Sequence, residues 1–279
     1  MRFIIVADIH FGSANDSGFS MESKYTEQAP EILKVLGEAA VAHGAEFIIH
    51  AGDMITEGTE QEIRLAAECC RALPVPFYNI LGNHDCLAEN FAELWLKNAG
   101  FMFPEGGLDT TFTRGGLRFD LLSIGWGRDS SQWIPANGFI THLLPEHFSR
   151  LRAGEQDIPR IVVCHSQIRP AYPRQTGLPD NIHVPTNGFD KIGDAIVSEF
   201  HPLLICGGHN HLNVLERLGS TYAATVSSLT EAPFEYKLLD FKDNCLSMKT
   251  CPLGGRVTFA YDYDPLRKFA QGNPCDREF

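Results

Sequence analysis

Again and again the chain passes from a short apolar run into a cluster of carboxylate, imidazole and amide side chains. Phe3–Ala7 runs into Asp8-Ile9-His10, Glu46–His50 into Gly52-Asp53, and Pro76–Leu81 into Gly82-Asn83-His84-Asp85. Arg160–Cys164 runs into His165, and His201–Cys206 into Gly208-His209-Asn210-His211. Apolar runs this short, bounded by turn formers, read as buried strands. Between them lie segments of helical period. Glu31–His43 carries Ile32, Val35, Leu36, Ala39 and Ala40 on one face and stops at Gly44; Glu60–Leu73 and Ala88–Ala99 follow. Alternating strand and helix predicts parallel pairing under covering helices. Sheets of that kind gather ligands at the carboxyl ends of their strands, where these clusters lie.

The second half is richer in strands: Thr110–Thr113, Leu117–Ser123, Val214–Leu218, Thr221–Thr225, Tyr236–Phe241, Cys245–Thr250 and Val257–Tyr261, with a helix near Gly188–Phe200. Gly219-Ser220, Lys242–Asn244 and Gly254-Gly255 are turn signals between neighbours. At 44% hydrophobic and 21% charged residues, the 279-residue chain can bury a full core. With no repeat or low-complexity linker, one α/β domain over 1–266 containing two sheets is the simplest account. Residues 267–279, weakly periodic, are expected to form a surface tail.

Several classes are disfavoured. A net charge of −12 repels phosphate backbones and anionic membranes. No apolar stretch approaches the ~20 residues of a membrane span. Met1-Arg2 leads through five apolar residues straight into Asp8, unlike a secretory leader. Eight cysteines without CxxC spacing then read as reduced thiols in a cytoplasmic protein. His50, at a strand end, is expected to pack or support the site rather than bind metal. His43, His142, His147 and His201 lack partner residues nearby in sequence and are expected at the surface.

Carboxylate, imidazole and amide are the donors that hold borderline divalent metals. Their order here, D-I-H (8–10), G-D (52–53), G-N-H-D (82–85), H (165) and G-H-N-H (208–211), resembles the calcineurin-like metallophosphoesterase superfamily. The resemblance implies an αββα sandwich of two mixed sheets flanked by helices. It implies two divalent transition metal ions (Mn, Fe, Zn or Co). Asp8, His10 and His211 would hold the first, Asn83, His165 and His209 the second, and Asp53 would bridge them. His84 would face the substrate and protonate or bind it. The implied reaction is phosphoester hydrolysis by in-line attack of a hydroxide bridging the ions. Glycines 52, 82 and 208 are expected to let the backbone turn sharply beside the metals.

Departures narrow the branch. Thr56 stands where the protein-phosphatase branch has the aspartate that orients its catalytic histidine, so that dyad is either missing or supplied otherwise, with Asp85 the candidate substitute. The arginine of that motif is absent, and Thr56 also replaces the metal-binding tyrosine of purple acid phosphatases. The pattern is most similar to class III cyclic-nucleotide and glycerophosphodiester phosphodiesterases, although Gly207-Gly208 adds a glycine to their ending and His165-Ser166-Gln167 departs from their fourth motif. A small-molecule phosphodiester is therefore the expected substrate, with a phosphomonoester of a small metabolite as the alternative. A non-catalytic scaffold and a repair-type nuclease are rivals, disfavoured by the intact ligand set and by the acidic charge. The loop 167–185, with Arg169, Tyr172, Arg174 and His183, is the candidate specificity segment.

Overall fold

The structure, a computed structural model, describes residues 1–12, 24–123, 125–126, 141–170, 189–264 and 271–279. In chain order the strands are β1 (Arg2–Val6), β2 (Ile48–His50), β3 (Phe77–Asn79), β4 (Thr110–Arg114), β5 (Leu117–Leu122), β6 (Gly125–Trp126), β7 (Thr141–His142), β8 (Arg160–Cys164), β9 (Leu204–Gly207), β10 (Val214–Leu218), β11 (Thr221–Thr225), β12 (Glu235–Lys242) and β13 (Cys245–Pro252). The helices are α1 (Ala29–His43), α2 (Glu60–Arg71), α3 (Phe91–Ala99), α4 (Pro145–Arg152) and α5 (Phe189–Phe200).

Two large mixed sheets face each other. One runs β13-β12-β1-β2-β3, the other β10-β11-β9-β8-β5-β4; β6 and β7 form a separate pair. β1, β2 and β3 are mutually parallel, as are β5, β8, β9 and β11. Alternation along β1 explains its unbroken apolar run. Phe3 and Ile5 point into the core between the sheets with Phe47, Phe119, Ile161, Val163 and Leu204, while Ile4 and Val6 pack under α1 and α2. A third apolar layer, with Leu151, Val162, Phe189 and Ile196, seats α4 and α5 on the other sheet. The expected αββα sandwich is the observed fold. Local chemistry sets helix ends: Thr59 and Glu62 make a reciprocal capping box at α2, and Gly44 closes α1 in left-handed geometry.

Three expectations change. Val257–Tyr261 is not a strand; Val257, Phe259, Tyr261 and Tyr263 keep an alternating pattern because they pack on the helix-side core beside Tyr25 and Phe234. His147 is fully buried rather than surface, its Nε2 3.3 Å from Asp109. Where the expected tail is described, at residues 271–279, it is tied to the fold rather than trailing from it. Phe279 stacks on Tyr222 at 3.7 Å, Phe279 exchanges backbone hydrogen bonds with Met248, and Arg277 pairs with the buried Glu235.

Candidate metal centre

The parallel registers bring the strand ends level. Val6 aligns with His50 and His50 with Asn79 in one sheet, Val163 with Cys206 in the other. The loops then lace together: Asp8 donates its N–H to the Gly52 carbonyl, His10 to Asp53, and Gly208 to His165. Across the sheets, the His209 N–H reaches both carboxylate oxygens of Asp8 at 3.1 Å. Asp8, Asp53 and Asn83 therefore hang from one sheet, and His165, His209 and His211 from the other.

Side-chain donors converge in overlapping groups, each within 4.8 Å: Asp8, His10 and His211; His10, Asp53 and His84; Asp53, His165 and His209. The Nε2 atoms of His10 and His211 face each other at 3.1 Å, with Asp8 Oδ1 3.5 Å from the latter. His165 Nε2 lies 3.1 Å from Asp53 Oδ2, while its Nδ1 is turned to the Ala51 carbonyl at 2.8 Å. Asn83 Oδ1 sits 2.8 Å from His209 Nδ1. Imidazole nitrogens and carboxylate oxygens aimed at one another in a buried space are a donor set that fits borderline divalent cations.

The backbone is strained where the donors sit. Asp8, His10, Asp53, His209 and His211 all have positive φ, from 54° to 75°. Left-handed geometry costs a non-glycine residue roughly 1–2 kcal/mol, so five together point to a functional constraint. Gly52, at φ 91°, is the sharp turn that was expected. Gly208 serves closeness instead: a Cβ there would lie 2.5 Å from Asp8 Oδ2.

Electrostatics follow burial and the two central carboxylates. Burial raises Asp8 to about 6 against the pull of His211 and His165. Burial would also raise Asp53, yet His165, His84 and His10 hold it well below the usual carboxylate range. His165 is raised to about 9 because Asp53 and Asp8 outweigh its desolvation. Burial and the neighbouring His165 lower His209 to about 3.

His84 is half-buried, its ring edge-to-face with His10 at 4.9 Å. The expected orienting role of Asp85 is corrected. Its carboxylate instead accepts the backbone N–H groups of Asp53, Met54, Ile55 and Gly82 at 2.8–3.1 Å, bracing the loop that carries Asp53. His84 Nδ1 is held by the Thr56 carbonyl at 2.8 Å. His50 lies beneath the site with Nδ1 2.7 Å from Asn79 Oδ1, as a packing residue would. Arg169 is not brought to the donors; it pairs with Asp194 of α5 and approaches Glu216 at 3.9 Å. Tyr172, Arg174 and His183 lie outside the described residues. Sequence reasoning missed two residues: Lys24, whose charge acts on His10 and His211, and Glu231, 2.5 Å from His211 Nδ1.

The calcineurin-like phosphoesterase profile matches residues 1–213, and the chain belongs to that family. No curated protein matches it by sequence. Among solved structures it is similar to a dimetal phosphatase from Danio rerio, at 13% identity and TM-score 0.68, covering 90% of this chain and 96% of that one. It is also similar to the TT1561 protein of Thermus thermophilus (16% identity, TM-score 0.56, 90% and 98% covered). A third is GAP50, the anchor in the inner membrane complex of Plasmodium (13% identity, TM-score 0.54, 94% and 87% covered). Family and donor clusters together indicate a dinuclear divalent metal site.

Proposed function

We propose that this chain is a phosphodiesterase of small molecules working at two divalent ions. Asp8, His10 and His211 would hold one, Asn83, His165 and His209 the other, with Asp53 shared. The observation that carries the reading is the placement of Asp53, whose carboxylate groups with His10 of the first donor set and with His165 and His209 of the second. Bound there, the ions would supply Lewis acidity and a water that ionises near neutral pH. The mixed nitrogen and oxygen donors suit Mn²⁺, Fe²⁺, Zn²⁺ or Co²⁺.

The remaining steps belong to the protein. With Nδ1 on the Thr56 carbonyl, the His84 atom left for the substrate is Nε2, which when protonated can hand its proton to the leaving oxygen. Asp85 acts through the Asp53 loop. A diester is favoured because Gly52–Gly58 carries no arginine to match the extra charge of a monoester dianion. Lys24 favours the second reading, a phosphomonoesterase, since its ammonium lies near enough to act on His10 and His211. A net charge of −12 weighs against nucleic acid polymers, and eight free cysteines are consistent with a cytoplasmic setting. Among the described residues, no helix is long and apolar enough to cross a membrane.

The test compares bis(p-nitrophenyl) phosphate with p-nitrophenyl phosphate on protein of measured metal content. Faster diester turnover supports the reading, whereas a large monoester preference replaces it with phosphatase. No turnover of either by fully loaded protein favours a scaffold.

A further inference from the structure

We propose that Glu231 is a positioning residue of the first metal position, fixing the His211 ring so that its Nε2 faces the ion. The inference rests on the metal-centre reading above. Glu231 lies 20 residues beyond His211 and outside the segment matched by the family profile. It is 2% exposed, with Oε1 2.5 Å from His211 Nδ1 and no hydrogen-bond partner for Oε2 among the described residues. A buried carboxylate costs several kcal/mol in lost hydration unless well paired. Among the described residues, a single imidazole contact does not explain it as a stabilising feature.

Its neighbours grip the other side of the same position. The Ser228 hydroxyl donates to the Asp8 carbonyl at 2.7 Å, Thr230 to Ile9 at 3.1 Å, and the Leu229 N–H to Ala7 at 3.0 Å. Residues 228–231 thus form a collar around both left-handed donor loops, the one with Asp8 and His10 and the one with His211. Within it, Glu231 places a negative charge on the ring nitrogen turned away from the donors. A proton held at Nδ1 leaves the Nε2 lone pair for an ion, and the carboxylate makes that nitrogen more basic.

The test is Co²⁺ uptake by metal-free protein in competition with a chelator, for wild type, Glu231→Gln and Glu231→Ala. Urea midpoints of the metal-free proteins are measured alongside. Glu231→Ala should weaken one of two positions about 10–100-fold and leave the other intact. Glu231→Gln, which keeps an acceptor for Nδ1 but not the charge, should lose less. Wild-type affinity at both positions in Glu231→Ala overturns the proposal. So does equal weakening at both with a lowered urea midpoint, which marks a general structural role. If wild type itself takes up no ion, the metal-centre reading falls first and this inference with it.

Discussion

The ring of His84 is anchored by a backbone atom, the carbonyl oxygen of Thr56, 2.8 Å from Nδ1. Thr56, the position at which the motif comparison expected an aspartate, supports the ring through its main chain instead of its side chain. A neutral carbonyl fixes the ring without adding charge and leaves Nε2 for the proton transfer proposed for His84. General acid catalysis contributes about 10²–10⁴-fold when the leaving oxygen needs a proton. His84→Ala should therefore slow alkyl phosphoesters by that factor and nitrophenyl esters much less, at unchanged metal content. Equal losses on both substrates would make the role electrostatic; lost metal would make His84 a ligand.

Metal stoichiometry tests the donor assignment. Wild type should carry about two divalent ions per chain, lose turnover to a chelator and regain it with Mn²⁺. Asp53→Ala removes the donor common to both sides and should lower occupancy at both. Asn83→Ala removes one neutral donor near His209 and should loosen only that side. Elemental analysis of the two variants decides it, and equal metal content would contradict a shared Asp53.

Metal affinity should depend on pH with a definite sign. In the metal-free protein His165 sits at about 9 and Asp8 at about 6, so both bind protons more readily than a free side chain. Each must shed its proton to donate electrons to an ion. Burial lowers His211, but Glu231 and Asp8 hold it above the usual imidazole value. Affinity should therefore rise by at least about tenfold per pH unit from pH 6.5 to 8.5 as protons leave His165 and His211, and more steeply below pH 6 as Asp8 joins. Calorimetric titration in buffers of different ionisation enthalpy would count the protons released. None released at pH 7.5 would show that His165 does not lose a proton to the ion.

Asp85 should prove structural in stability and functional in consequence. Alanine there strips the acceptor from four backbone N–H groups in a buried loop. Each orphaned donor costs about 1–3 kcal/mol before water enters, and partial relief leaves an expected loss of about 3–5 kcal/mol. Urea unfolding measures it. A loss below about 1 kcal/mol would mean that the loop does not depend on Asp85.

How far the sequence reached depends on which atoms do the work. Strand ends carrying Asp8, Asp53, Asn83, His165 and His209 were legible because burial on both faces writes unbroken apolar runs and the donors follow at once. The Thr56 carbonyl was not, since every residue has one. Glu231 was hidden because a lone glutamate reads as surface until folding sets it against a ring 20 residues earlier. His147 shows the converse: its partner, Asp109, lies 38 positions away, beyond any local pattern. Val257–Tyr261 carries the period of a strand without a partner strand, because aromatic packing on the core selects the same alternation.

An ion gripped between strand ends of opposite sheets is a rivet through the joint of the sandwich. By mass action, any ion that binds the folded chain alone adds about 2.7 kcal/mol at a hundredfold excess over its dissociation constant. With the proposed donors that energy would fall on the seam itself, because Asp8 and Asp53 belong to one half and His165, His209 and His211 to the other. Scarcity of metal would then do more than silence turnover. With the apolar core still joining the sheets, it would lower the stability of the folded chain and shorten its lifetime wherever proteases sample its open state.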